Sequence, residues 1–135
     1  MSKILLVGND LRLLATRAAV LAKTNANVVC CNALEVMKIL ENEIFDLVVL
    51  CHSLTDIQAI EISNAVHQQA PKTRILMIVS GVSQERLYRG ADFDATSSPE
   101  PDRLISRASE LLATLPNHRI EEPSWLIRRR PQTMP

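Results

Sequence analysis

The sequence predicts an α/β domain, a parallel sheet covered by helices on both faces, and three observations carry that prediction. Phe45-Asp46-Leu47-Val48-Val49-Leu50-Cys51 is a continuous apolar run of strand-forming residues, the pattern of a strand buried on both sides. Similar short runs alternate with helix-periodic stretches five times along the chain. Finally, 135 residues with 47% hydrophobic and 22% charged composition suit one folded domain with a sizeable core.

Lys3-Ile4-Leu5-Leu6-Val7 is the first strand, closed by Gly8-Asn9-Asp10, a turn that can supply a helix N-cap. Leu11, Leu14, Ala15, Ala18, Ala19 and Ala22 recur near helical spacing, with Arg12, Arg17 and Lys23 among the polar positions. After the loop Thr24-Asn25-Ala26-Asn27 comes a second strand, Val28-Val29-Cys30-Cys31, and Leu34, Met37, Ile39 and Leu40 then mark a second helix ending near Asn42-Glu43. The run ending at Cys51 is the third strand. Ile57, Ile60, Glu61, Ala65 and Val66 fit a third amphipathic helix that stops before Pro71, because the residue ahead of a proline is pushed out of helical conformation. Arg74 to Val79 is the fourth strand, Gln84 to Arg89 has room for barely two helical turns, and Ala91 to Thr96 is a weak fifth strand interrupted by Asp92 and Asp94. The last helix runs from Pro101 to Leu115, with proline in its first turn and Leu104, Ile105, Ala108, Leu111 and Leu112 on one face.

Charge balances at zero, but unevenly: residues 1–115 carry 11 Lys/Arg against 13 Asp/Glu, and residues 116–135 carry four Arg against two Glu. No apolar run reaches the roughly 18 residues of a membrane span and no signal pattern opens the chain, so a cytoplasmic protein is expected. Cys30, Cys31 and Cys51 are odd in number and lack metal-ligand spacing, which argues against both a zinc site and a disulfide framework.

The order of these motifs over residues 3–115 resembles the receiver (CheY-like) domain of bacterial two-component response regulators. Lys3 to Val7 with Gly8-Asn9-Asp10 is similar to that family's first strand and acidic turn, and Phe45 to Leu50 to the strand leading to its phosphoacceptor. Cys51 to Ile62 is similar to its loop and third helix without a gap, and Gly90-Ala91-Asp92 to the turn into its fifth strand. The resemblance implies a flavodoxin-like, doubly wound, five-stranded parallel sheet of order 2-1-3-4-5, here with the fourth helix shortened. It also implies where the family's active residues fall: the magnesium-binding acidic pair on Gly8 and Asn9, the phosphoacceptor on Cys51, the strand-four hydroxyl on Ser80 and the strand-five lysine on Ser97. The aromatic switch position falls on Asp94, and the proline after the lysine on Ser98, with Pro99 one place later.

Of those five site positions, Ser80 alone keeps the family's residue type. Magnesium takes hard oxygen ligands, and the metal and lysine together neutralise the transferring group, so the substitutions remove the electrostatic apparatus as a unit. Asn9 and the nearby Asp10 are poor replacements, and a thiol cannot form an acyl phosphate. The expectation is therefore no magnesium binding, no catalytic residues, no metal or other cofactor, and no enzyme activity. Cys51 has two readings. As a redox switch it would need exposure and a lowered pKa, whereas the commoner role of a cysteine at a strand end is that of a small buried hydrophobe. A bridge from Cys51 to Cys30 or Cys31 would span two strand spacings, roughly 10 Å, beyond the roughly 7 Å Cα limit. Ser80 is expected to bond local backbone. His52 and His67 have no ligand partners at suitable spacing and are expected at the surface.

Ser80 and Gly90 are separated by ten steps, which cuts the fourth helix to a stub and alters the helix-four, strand-five, helix-five surface through which receiver domains dimerise and contact outputs. Residues 116–135 form a separate tail holding four prolines and Trp125-Leu126-Ile127 followed by Arg128-Arg129-Arg130. The tail is either a solvated end or a docking peptide whose Trp125, Leu126 and Ile127 cover an apolar surface, in the gap left by the short fourth helix or on a second copy. Three arginines are too few for nucleic-acid or membrane-surface binding. The reading is a receiver-like domain, 1–115, with a tail, 116–135, acting as a phosphorylation-independent interaction module whose partner is another signalling protein or itself. The alternatives are a redox-responsive switch centred on Cys51 and a phosphorelay component by homology only.

Overall fold

A computed structural model describes residues 2–80 and 93–113. The elements run β1 (Lys3–Val7), α1 (Leu11–Leu21), a 3-10 turn (Ala22–Thr24), β2 (Asn27–Cys31), α2 (Val36–Asn42), β3 (Leu47–Leu50), α3 (Asp56–Gln69), β4 (Arg74–Ile78), β5 (Ala95–Ser97) and α4 (Pro101–Ala113). All strand pairs are parallel and the sheet order is β2-β1-β3-β4-β5, the flavodoxin-like order expected. The shortened fourth helix, at residues 84–89, and the tail fall outside the described residues.

Side-chain alternation divides the core into two layers. Leu5, Val7, Val48, Leu50, Ile75 and Met77 point toward α2 and α3, meeting Val36, Leu40, Ala59, Ile62 and Val66. Ile4, Leu6, Leu47, Val49, Leu76 and Ile78 point the other way, toward Leu14 and Leu21 of α1 and Leu104, Ala108 and Leu112 of α4. Each fully buried aliphatic side chain contributes roughly 1.5–3 kcal/mol, so the three central strands, buried except at Lys3 and Arg74, dominate the stability.

Local chemistry sets the element ends. Asp10 caps α1, its carboxylate accepting from the Arg12 and Leu13 amides at 3.0 and 3.3 Å. Thr55 and Gln58 form a reciprocal capping box on α3. Asn25 ends the 3-10 turn at φ 65°, a left-handed conformation that asparagine tolerates better than most residues.

Three sequence expectations shift. The inward stripe of α1 is Leu14, Arg17 and Leu21, leaving Leu11, Ala15, Ala19 and Ala22 exposed. Helix α2 starts after Leu34, so Val36 and Leu40 face the core and Leu34 and Met37 face out. On α3, Ile57 and Ile60 are exposed while Ala59 and Ile62 are buried. On α1 and α3 small or polar residues on the inner stripe disguise its phase, and on α2 the later start of the helix shifts it. Among the described residues strand β5 also begins later than expected, at Ala95, and reaches Ser97. Asp94 lies just before it, its carboxylate accepting from the Ile75 amide at 2.7 Å and facing Arg74 at 3.4 Å, so a side chain stands where the ladder would continue.

Candidate functional site

The carboxyl ends of β1 and β3 bring Gly8, Asn9, Asp10 and Cys51 together. The Cys51 amide donates to the Val7 carbonyl at 2.9 Å and the Gly8 amide to the Cys31 carbonyl at 3.1 Å, which prolongs the parallel pairing past both strands. A Cβ on Gly8 would stand 3.1 Å from Cys51 Cβ, 3.2 Å from Cys51 Sγ and 3.2 Å from Leu14 Cδ2. Glycine at position 8 is therefore what allows the Cys51 side chain to pack flat against the β1 turn.

Cys51 belongs to the α1 and α4 layer and is 0% exposed. Arg17, expected on the polar side of α1, is 5% exposed and reaches the same spot. Its Nη2 lies 3.2 Å from His52 Nδ1, and its positive charge bears on the Cys51 thiol. Since arginine has no acceptor, the Nδ1 must be the unprotonated nitrogen. Arg17 Nη1 is buried without a hydrogen-bond partner among the described residues.

The electrostatics follow from that packing. Burial pushes the Cys51 thiol up, against the lowering effect of the Arg17 guanidinium. The thiol is thus held neutral, the environment of an inert cysteine. Burial also pushes His52 down, aided by the neighbouring Arg17 charge and opposed by Asp10. Cys31 is pushed up to about 12 by burial, then by Glu35 and Cys30, and all three cysteines are free thiols. His52 and His67 are half-buried rather than surface residues, and His52 is engaged with Arg17.

Asn9 spans the mouth of the site. Its amide donates to Ser53 Oγ at 3.0 Å, and its Nδ2 donates to Gln58 Oε1 at 2.9 Å and to the Ser53 carbonyl at 3.4 Å. The β1–α1 loop is thereby tied to the β3–α3 loop and to the first turn of α3. Asp10, the carboxylate nearest this mouth in sequence, is occupied as the α1 cap.

Ser80 and Ser97 lie apart from that cluster, on a groove of about 730 Å³ at the carboxyl ends of β4 and β5 bordered by α4. Ser80 is exposed beyond the end of β4. Ser97 is buried, and its hydroxyl donates to the Ser98 carbonyl at 2.8 Å, turned into its own backbone. Arg103 and Arg107 on the groove wall pair with Glu100 and Glu110 at 3.1 and 3.3 Å, exposed contacts worth about 0–1 kcal/mol each. Trp125, Leu126 and Ile127 lie outside the described residues. Arg17, Ser53 and Gln58 were not singled out from sequence. For Arg17 the available signal is its position three residues after Leu14 and four before Leu21, on the buried stripe.

No family model matches the sequence, and no curated protein matches it. Solved structures do match. A response regulator receiver domain protein (CheY-like) from Methanospirillum hungatei aligns with TM-score 0.70 and 23% identity over 84% of this chain and 94% of that one. A putative response regulator from Chloroflexus aurantiacus aligns with TM-score 0.73 and 19% identity over 83% and 98%. The receiver domain of a Pseudomonas aeruginosa sensor histidine kinase, described with a magnesium ion coordinated in its active-site cleft, aligns with TM-score 0.69 and 14% identity over 83% and 95%. The strand order, the parallel pairing and these alignments together give this chain the fold of the receiver domains of two-component signalling proteins.

Proposed function

We propose that this chain is a pseudo-receiver: a receiver-fold module without aspartyl phosphoacceptance, not an enzyme, which acts in two-component-type signalling by binding another signalling protein or a second copy. The observation that carries the reading is the environment of Cys51. A neutral, fully buried thiol beside a buried arginine charge occupies the end of the central strand, where the resemblance places the acceptor carboxylate.

The donor set does not fit a magnesium ion. Gly8 brings no side chain, Asn9 offers only a neutral amide oxygen with its Nδ2 tied to Ser53 and Gln58, and Asp10 gives its Oδ1 to the α1 cap. Cys51 is a soft, protonated ligand beside a guanidinium, whereas magnesium needs hard oxygens in near-octahedral array. No step through the metal is therefore proposed. The Asn9–Ser53–Gln58 bridge further supports a signal-independent role, since it already holds the two loops together through side chains of this chain alone. The redox alternative draws support from the Arg17 contact, which favours a thiolate, but burial outweighs it. Among the described residues no helix is long and apolar enough to cross a membrane, and we place the module in the cytoplasm.

The test is incubation of the full chain with acetyl phosphate and magnesium, followed by intact mass and by binding to its captured partner. No phosphoryl adduct and unchanged partner affinity are expected. A stoichiometric adduct that alters partner binding would overturn the reading.

A further inference from the structure

On the face opposite α1 and α4, a groove of about 480 Å³ runs between the start of α2 and the length of α3. Its apolar wall is made of Leu34, Val36, Met37, Ile62 and Ala65. Leu34 and Met37 are 88% and 44% exposed, so this wall is open to solvent among the described residues. The polar lining residues all belong to α3, with Gln58 and Gln68 at the two ends and Glu61 and Asn64 between them, and Glu61 is the sole charged lining residue described. Helix α3 carries Asp56 and Glu61 and no lysine or arginine. The groove is therefore apolar along its α2 wall and carries a negative charge on its α3 wall, and it suits an apolar segment flanked by positive charge.

This chain holds one such segment. Trp125-Leu126-Ile127, containing the chain's single tryptophan, is followed directly by Arg128-Arg129-Arg130. We infer that residues 125–130 dock in the α2/α3 groove of their own chain, with Trp125 against Leu34 and Met37 and the arginines toward Glu61. The chain length allows it. Helix α4 is described as far as Ala113 and packs against the 3-10 turn that precedes β2, at the amino-terminal edge of the sheet, and Gln68 marks the end of the groove nearest that edge. Layers stack about 10 Å apart, so passing beneath the sheet from one helical face to the other takes roughly 20 Å plus a lateral offset, and running along α3 from the Gln68 end to Leu34 and Met37 takes up to about 15 Å more. The residues from Ala113 to Trp125 span up to about 40 Å when extended. Aromatic and arginine side chains are also the ones that anchor best in such grooves. The inference stands apart from the question of phosphorylation, since it uses none of the residues around Cys51 except Gln58 at the groove's end.

The single tryptophan makes the test direct. In the full chain, Trp125 should emit at shorter wavelength than hydrated indole, resist acrylamide quenching, and do both independently of protein concentration. Leu34→Glu with Met37→Glu, two exposed positions, should shift the emission to that of hydrated indole and raise the quenching constant several-fold with far-UV circular dichroism unchanged. Glu61→Arg should raise quenching part of the way, and Leu11→Glu, an exposed apolar position on the opposite face, should leave it unchanged. Hydrated emission in the unaltered chain, protection that survives both groove variants, or protection that is lost on dilution, as for a tail lent to a second copy, would each overturn the inference.

Discussion

Gly8→Ala asks whether the Gly8–Cys51 contact is as tight as the geometry says. The added methyl would meet Cys51 Cβ at 3.1 Å, Cys51 Sγ at 3.2 Å and Leu14 Cδ2 at 3.2 Å, all inside ordinary van der Waals separation. Leu14 can rotate its terminal methyl away, but Cys51 Cβ is fixed to the end of the central strand and cannot move without disturbing the Cys51–Val7 ladder bond. Overpacking of this kind costs roughly 1–3 kcal/mol, offset by about 0.4–1 kcal/mol from the reduced entropy of the unfolded chain. The net loss is about 0–2.6 kcal/mol, centred near 1.3 kcal/mol, which at about 3–6 °C per kcal/mol for a domain of this size lowers Tm by about 4–8 °C. Thermal and urea unfolding of Gly8→Ala, Cys51→Ala and the double variant provide the assay, because the cycle isolates the contact. Removing Sγ relieves one of the two rigid contacts, so Gly8→Ala should cost measurably less in the Cys51→Ala background. An unchanged Tm for Gly8→Ala, with additive effects in the cycle, would refute the reasoning. The same steric argument covers an acidic residue at position 8, which would need that Cβ before it could present a carboxylate.

Thiol reactivity should divide sharply: iodoacetamide should modify exposed Cys30 first and leave Cys31 and Cys51 slow in native buffer, and rapid loss of Cys51 on mass mapping would restore the redox reading. His52 should give a pH-dependent stability term of definite sign. Its folded pKa lies below the ordinary 6.5, so the unfolded chain takes up the proton first; stability is full above about 6.5 and falls as pH drops toward the lowered folded value. His52→Ala should flatten that part of the urea-midpoint profile, and a variant profile as steep as the parent's would contradict the Arg17–His52 pairing. Cys51→Asp should not create an acceptor, since the new carboxylate would face Arg17 with no metal ligands beside it; a phosphoryl adduct in this variant with acetyl phosphate and magnesium would count against the donor-set argument. Asn9→Ala should cost about 0.5–1.5 kcal/mol for the lost bond to Gln58 and raise amide exchange at Ser53 and Leu54, and unchanged exchange there would mean that the loops are not held by it.

The sheet was legible because its signal is strong. Parallel strands buried on both faces read as unbroken apolar runs, so β1 and β4 lie where their runs predict, and Asp10 and Pro71 mark helix boundaries by known backbone chemistry. Helix phase was less legible. An amphipathic stripe made partly of Ala59, Ser63 and Arg17 carries little hydrophobic contrast, so Leu11, Ile57 and Ile60 outweigh it in the sequence while lying on the outer surface. The positions around Cys51 could be placed from motif order alone. Their interactions could not, because Arg17 lies 34 positions away and reads as an ordinary surface cation until α1 is laid on the sheet. The Asn9–Gln58 bridge is equally non-local, joining the first turn to a capping residue of α3.

The central claim is that the strand-end site is closed to metal-assisted phosphoryl chemistry, and amide NMR of the full chain titrated with magnesium and then beryllofluoride tests it most directly. With Cys51 neutral and buried, Asn9 tied to Ser53 and Gln58, and Asp10 held as a cap, resonances of Gly8, Asn9, Cys51 and Ser80 should stay in place through both additions. Saturable shifts converging on those residues would contradict the account.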